Sequence, residues 1–263
     1  MIIDTHCHMH GKEFAADFDD VLARATDAGV GRIALIGCDL DDSRRALERA
    51  QGRGEFLAVV GVHPHAASTW SATVEKALRE ELLPDPATVA VGEIGLDYHY
   101  DFSPQRDQHT ALLAQLALAN EFAKPIVVHC REAYEDILSL FRDFYRHVPP
   151  PPDGPRGVMH CYFGTPAQAG AFAELGFVLG IGGSVTFNKA EELRDVVRSM
   201  PLDTLVLETD APYMAPVPHR GKRNEPAHLP LVVARIAELK GVEPEEVIAS
   251  TTRTAKALFR LSD

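Results

Sequence analysis

Two histidines spaced by one residue close the first apolar run of the chain, Ile2-Ile3-Asp4-Thr5-His6-Cys7-His8. Residues two apart in a strand point to one face, so His6 and His8 can present two imidazoles to one point. That is a common way to hold a divalent metal ion. A short apolar run can also end in two histidines by chance, so the pair gains its force from the rest of the chain. A third run leads into His63-Pro64-His65, a fourth carries Glu93 and continues to Asp97, and a fifth ends at His129. A sixth ends at His160 and an eighth at Glu208-Thr209-Asp210. The chain has 12 histidines in 263 residues, too few to stand at four of eight run ends by accident.

The elements that must position these groups are legible as an alternation. Short apolar runs cover residues 1–6, 32–37, 56–62, 89–94, 125–130, 157–161, 176–182 and 204–208. Segments of helical spacing lie between them at 17–28, 42–51, 68–83, 104–122, 132–145, 166–175 and 188–199. Asp42-Ser43, Ser103-Pro104 and Thr165-Pro166 read as helix starts. Eight β-α units with continuously apolar strands predict an α/β fold, a (β/α)8 or TIM barrel, as a single domain over residues 1–263. An open doubly wound sheet is the alternative. Its dinucleotide-binding version is excluded, because no Gly-x-Gly-x-x-Gly follows the first run. The proline-rich stretch 149–155 reads as a surface connection, and residues 243–261 as helical turns that close the barrel. The loop 210–228 is long, basic and rich in proline, and loops of that length are usually functional. A barrel gathers the C-terminal ends of its strands around one mouth. His6, His8, Glu93, His129, His160 and Asp210 can therefore converge from across the whole sequence.

Four imidazoles and two carboxylates exceed what one tetrahedral ion with an open position needs. They suit two divalent ions about 3.5–4 Å apart that share a carboxylate. Glu93, between the two histidine groups in the sequence, is the natural bridge. Asp210 is placed to ligate one ion and to accept a proton from water. Histidine-rich ligation favours manganese, zinc, cobalt or iron over magnesium.

Composition bounds the partners. The net charge of −12 excludes a wholesale nucleic-acid coat, so contact with nucleic acid must be local. Arg131, Arg220, Lys222 and Arg223 stand close to the run ends in sequence, and arginine forks suit phosphate oxygens. An acidic shell with a cationic mouth favours short or end-on nucleic acid over tracking along a duplex. No run is apolar enough to span a membrane and the first residues lack a signal-peptide pattern, so the expected location is the cytoplasm. Cys7, Cys38, Cys130 and Cys161 are expected to be small buried hydrophobes in a reducing compartment. A monomer is compatible with the sequence.

The motifs DTHCH (4–8), GVHPH (61–65), GEIGLDY (92–98), HCREA (129–133), GVMHCYFG (157–164), ETDAPY (208–213) and PHRGKRNEP (218–226) together resemble the TatD-like metal-dependent deoxyribonucleases of the amidohydrolase-type barrels. That resemblance spans nearly the whole chain. It implies a TIM barrel with a two-metal centre, one ion on His6, His8, Glu93 and Asp210, the other on Glu93, His129 and His160. It implies hydrolysis of DNA phosphodiesters, typically from the 3′ end, and it allows magnesium. It also implies that His63 and Glu208 lie near the metals as supporting or substrate-contacting groups. Two departures bear on substrate preference. His10 stands where an acid is common, and Tyr162-Phe163 where Phe followed by Ser or Thr is common.

Three functions compete at this point. The first is a phosphodiesterase acting on DNA ends. The second keeps the metals and changes the electrophile to an amide, lactone or ester, including a D-aminoacyl-tRNA. Glu93 argues against it, since many two-metal amidohydrolases bridge their ions with a modified lysine. The third is a non-enzymatic metal-loaded binding module, disfavoured because purely structural sites tend to be coordinatively closed.

Overall fold

The fold follows from strands that are apolar on both faces. The computed structural model describes residues 1–261. Its strands are β1 (Ile2–Cys7), β2 (Val30–Ile36), β3 (Phe56–Val60), β4 (Thr88–Asp97), β5 (Ile126–Arg131), β6 (Gly157–Met159), β7 (Phe177–Ile181) and β8 (Leu205–Leu207). They form one parallel sheet in sequence order. The sheet closes where Asp210 N donates to His6 O (2.9 Å) and His8 N to Ala211 O (2.8 Å). The chain is therefore a TIM barrel.

The helices are α1 (Phe18–Asp27), α2 (Leu40–Ala50), α3 (Ala72–Ala77), α4 (Gln105–Glu121), α5 (Tyr134–Phe144), α6 (Pro166–Glu174), α7 (Glu191–Ser199), α8 (Leu229–Lys240) and α9 (Pro244–Phe259). Thr165 opens α6 with a capping box completed by Gln168. Two buried layers result. Alternate strand residues Ile3, Ala34, Ile36, Leu57, Val59, Ala90, Val127, Val158, Val178 and Val206 fill the barrel, and α9 adds Ala255, Leu258 and Phe259 to that layer. The other faces of the strands pack against the ring of helices. Each fully buried Val, Leu or Ile side chain stabilises the barrel by roughly 1.5–3 kcal/mol.

Several expected boundaries shift. The helix expected over 68–83 is broken. Pro64–Thr69 is a 3-10 turn, Ser71 caps α3 by accepting from Val74 N, and Leu78–Leu82 is a π-turn. Asp39, not Asp42-Ser43, caps α2, accepting from Asp42 N. Helix α8 lies in a stretch to which the sequence reading assigned no helix. Strand β6 stops at Met159, because Cys161 turns into the left-handed region at φ +44°. No helix among the described residues is long and apolar enough to cross a membrane.

Candidate metal centre

Period-two alternation carries several functional side chains inward. On β5 and β6 the inward residues Val127 and Val158 are followed two positions later by His129 and His160. Val206 leads in the same way to Glu208, and Val59 to His63 four positions later, beyond the end of β3. Strands β1 and β4 need a further device. Register shifts fall between Asp4 and Cys7 and between Val91 and Ile94. Such irregularities re-aim side chains. They bring His6 and Glu93 inward while Cys7, Ile94 and Leu96 join the outer layer. Asp210 adopts φ +56°, a conformation aspartate tolerates better than most residues.

The result is a cluster around Glu93, which is 3% exposed. His129 Nδ1 is 2.9 Å and His63 Nε2 3.5 Å from Glu93 Oε1, and His160 Nε2 is 3.7 Å from it. On the other oxygen, His6 Nε2 is 3.3 Å from Glu93 Oε2. His8 Nε2 lies 3.3 Å from His6 Nε2 and 3.5 Å from Asp210 Oδ1. The donor atoms of His6, His8 and Glu93 lie within 4.8 Å of one another, and so do those of Glu93, His129 and His160. Glu93 belongs to both groups. A cavity of about 570 Å³, lined by His129, Arg131, His160, Phe163, Asp210 and Met214 among others, adjoins the cluster. A larger cleft of about 720 Å³ runs along α9 and touches none of these donors.

Neighbouring groups orient the imidazoles. His8 Nδ1 lies 3.0 Å from Ile36 O, which fixes the proton there and leaves Nε2 as a lone pair. His129 Nε2 donates to Asp97 Oδ2 at 2.9 Å, so its Nδ1 faces Glu93. Asp97 Oδ2 also accepts from His65 Nε2 at 2.8 Å. Glu208 Oε1 accepts from Cys161 N, while its Oε2 and His6 Nδ1 have no hydrogen-bond partner. His160 Nδ1 is 3.2 Å from Glu208 Oε1 but poorly aligned for a hydrogen bond. Gly180 makes room for Glu208, since a Cβ there would stand 2.1 Å from Oε2.

The charges follow from this packing. Burial resists ionisation of Glu93, but His63, His6 and His160 and the bond from His129 outweigh it and hold the carboxyl well below its usual range. Burial also opposes ionisation of Asp210, and its pKa is lowered by His8, His160 and His6. Burial depresses His63 to about 4, leaving a neutral ring. His160 is raised to about 9, because the charges of Glu208, Glu93 and Asp210 overcome its burial. A site with this many lone pairs and anionic oxygens facing one another fits hard or borderline divalent cations.

All six expected ligands thus meet at one mouth, with His63 and Glu208 among them. Arg131 lines the adjoining cavity, and Arg220 is exposed over the Phe187 ring at 4.4 Å. Arg223 departs from expectation. Its guanidinium forks onto both Asp17 oxygens (2.9 and 2.6 Å), donates to Glu13 O, and lies over Phe14. It ties the last loop to the start of α1 and is not free for phosphate. Cys7 and Cys130 are buried, whereas Cys38 and Cys161 are only partly so, a correction to the expectation of four buried thiols. Cys38 Sγ approaches His8 Nδ1 at 3.8 Å because the end of β2 passes beneath that ring. The sequence reading did not single out Asp97 or Asp4 as site residues. Asp4 Oδ1 accepts from His6 N and Thr209 N, and Oδ2 from Thr209 Oγ1. It clamps β1 to the residues after β8. The only signal was position: Asp4 opens DTHCH, and Asp97 ends the run that carries Glu93.

Fold and site together define a metal-dependent hydrolase of the TIM-barrel type. The chain belongs to the family described as TatD related DNase, whose model matches residues 3–260. It is 37% identical over 262 residues to an uncharacterized metal-dependent hydrolase, YabD, of Bacillus subtilis, covering 100% of both chains. It is 36% identical over 266 residues to the 3′-5′ ssDNA/RNA exonuclease TatD of Escherichia coli, covering 99% of this chain and 100% of that one. The crystal structure of YJJV, a TatD homolog from E. coli, superposes with a TM-score of 0.90 at 32% identity, covering 99% of this chain and 98% of that one.

Proposed function

We propose that the chain hydrolyses phosphodiester bonds of single-stranded DNA from the 3′ end, using two divalent ions. The observation that carries this reading is the double donor group centred on Glu93. His6, His8, Glu93 and Asp210 would hold one ion, and Glu93, His129 and His160 the other. When bound, the ions supply Lewis-acid stabilisation of the phosphate charge and make water a stronger acid. The relatives named as 3′-5′ exonucleases support the polarity and add RNA as a second substrate.

The chain's own groups then have distinct tasks. Asp210, ionised and only partly exposed, accepts the proton of the attacking water. His63, neutral and buried, bonds to substrate or water beside Glu93. Glu208 holds the Cys161 backbone and sets its carboxylate charge beside His160. Arg131, at the cavity wall, and Arg220, on the last loop, bind phosphate oxygens. One chain carries the whole donor set, so a monomer suffices. The four free cysteines suit the cytoplasm.

The test is protein reconstituted with manganese on 3′-labelled single-stranded DNA, with ester and amide substrates in parallel. Early release of labelled mononucleotide is expected. Amide or ester turnover without DNA cleavage would transfer the site to the competing amidohydrolase reading.

A further inference from the structure

Four aromatic side chains are exposed among the described residues: Tyr100, Phe102, Phe163 and Tyr213. All four lie on loops that leave the C-terminal ends of β4, β6 and β8, the end that carries the donor cluster. Single exposed apolar groups scattered over a surface need no explanation, but a set confined to one face marks a contact surface. Tyr100 and Phe102, 41% and 65% exposed, form a pair, with centroids 5.3 Å apart and planes 16° from parallel.

This pair is held in place by its loop. The backbone N–H groups of His99 and Tyr100 both donate to Asp97 Oδ1. The Gln108 amide accepts from Asp97 N and donates to the carbonyls of Asp97 and Ser103. Ser103 Oγ donates to His65 O. The His65 ring stands T-shaped to both, with centroids 5.4 Å from Tyr100 and 4.9 Å from Phe102. That same His65 shares Asp97 with His129. The Arg131 guanidinium lies 4.8 Å from the Tyr100 ring centroid, and Arg131 also lines the cavity beside His129, His160 and Asp210. The exposed rings are thus continuous with the candidate site, and a cation stands between the two.

We propose that Tyr100 and Phe102, with Arg131 beside them, form a stacking platform for one unpaired nucleobase of the substrate, that of the nucleotide on the 5′ side of the scissile phosphate. The proposal rests on the phosphodiesterase reading above and adds to it a reason for preferring single strands. Every base offers a π-face, so such a platform binds without reading sequence. A base already paired and stacked inside a duplex cannot lie on it. Arg131 complements the phosphate that flanks the stacked base, which an apolar peptide or lipid occupant would not require.

The experiment varies platform and base together. One 3′-labelled single-stranded oligonucleotide carries a normal penultimate residue, and its twin carries an abasic residue there. Both are cleaved by the wild type, by Tyr100→Ala/Phe102→Ala and by the conservative exchange Tyr100→Phe/Phe102→Tyr. The wild type and the exchange variant are expected to show about a tenfold higher KM for the abasic strand, about 1.4 kcal/mol. The double alanine variant is expected to lose that discrimination. A general folding defect would slow both strands alike and leave the ratio intact, which would overturn the proposal, as would a wild type indifferent to the missing base. A wild type that cleaves neither strand would instead overturn the phosphodiesterase reading itself.

Discussion

Replacing Asp97 by Asn tests how a buried acid outside the ligand set controls it. Asp97 is 1% exposed and accepts four hydrogen bonds. Its Oδ2 receives His129 Nε2 and His65 Nε2 at 2.9 and 2.8 Å, and its Oδ1 receives the backbone N–H groups of His99 and Tyr100 at 3.0 and 2.9 Å. An asparagine can keep only one of these sides. If its carbonyl oxygen stays on the backbone pair, its NH₂ faces two imidazole donors. His129 then relaxes by moving its proton to Nδ1, the nitrogen 2.9 Å from Glu93 Oε1. That removes the lone pair the proposed second ion would use. Loss of such an orienting partner costs roughly 10–100-fold in metal affinity, or about 1.4–2.7 kcal/mol. Calorimetric titration with manganese should therefore show the step proposed for Glu93, His129 and His160 weakened by that factor, with the His6/His8 step changed by less than about threefold. Turnover should recover at raised manganese. Two unchanged affinities in a folded Asp97→Asn protein would refute the argument that the tautomer of His129 is set by this carboxylate.

Other outcomes follow from single contacts. Burial raises Asp4 to about 7 despite its bonds from Thr209 and His6, so the native state holds a proton there that the unfolded chain releases near pH 4. Metal-free stability from this group is therefore highest below about pH 4 and falls as pH rises through 7. An asparagine in its place can keep the same backbone bonds and does not titrate. The Tm of Asp4→Asn relative to wild type should therefore improve from pH 4 to pH 8, and a constant offset would contradict this. Gly180→Ala drives a Cβ into Glu208 Oε2. It should lower kcat at least about tenfold, the loss expected when a group that orients a metal ligand is displaced, while thermal melting still shows a folded barrel. Arg223→Ala should lower Tm and leave KM for DNA unchanged, because its fork is engaged by Asp17. Arg131→Ala should raise KM with a shallower salt dependence.

Which parts of the site were legible in the sequence depends on how local their causes are. The eight runs were visible because barrel strands are apolar on both faces. His63, His129, His160 and Glu208 then follow from counting by two along β3, β5, β6 and β8. His6 and Glu93 do not, because register shifts in β1 and β4 decide which way they point. Those shifts depend on pairing with neighbouring strands. The engagement of Arg223 is hidden from the sequence for a similar reason, since its partner Asp17 is brought to it only by barrel closure. Helix α8 carries a weak start signal in the sequence, because Pro230 follows directly on a loop rich in proline, although proline is well tolerated in a first helical turn. Asp97 was seen as the end of a run, but its role required knowing that His129 and His65 meet there.

The central claim is that Glu93 joins two ion sites into one centre, and metal analysis of three proteins tests it most directly. Wild type, Glu93→Gln and Asp210→Asn, each saturated with manganese and then desalted, are assayed for bound ions per chain and for DNA cleavage. The account predicts two ions in the wild type. Glu93→Gln should be depleted at both sites, because a neutral amide is a poor bridge between cations. Asp210→Asn should keep the His129/His160 ion and lose turnover by roughly 10²–10⁴-fold or more. A Glu93→Gln protein that still holds two ions, or a wild type that holds only one, would contradict it.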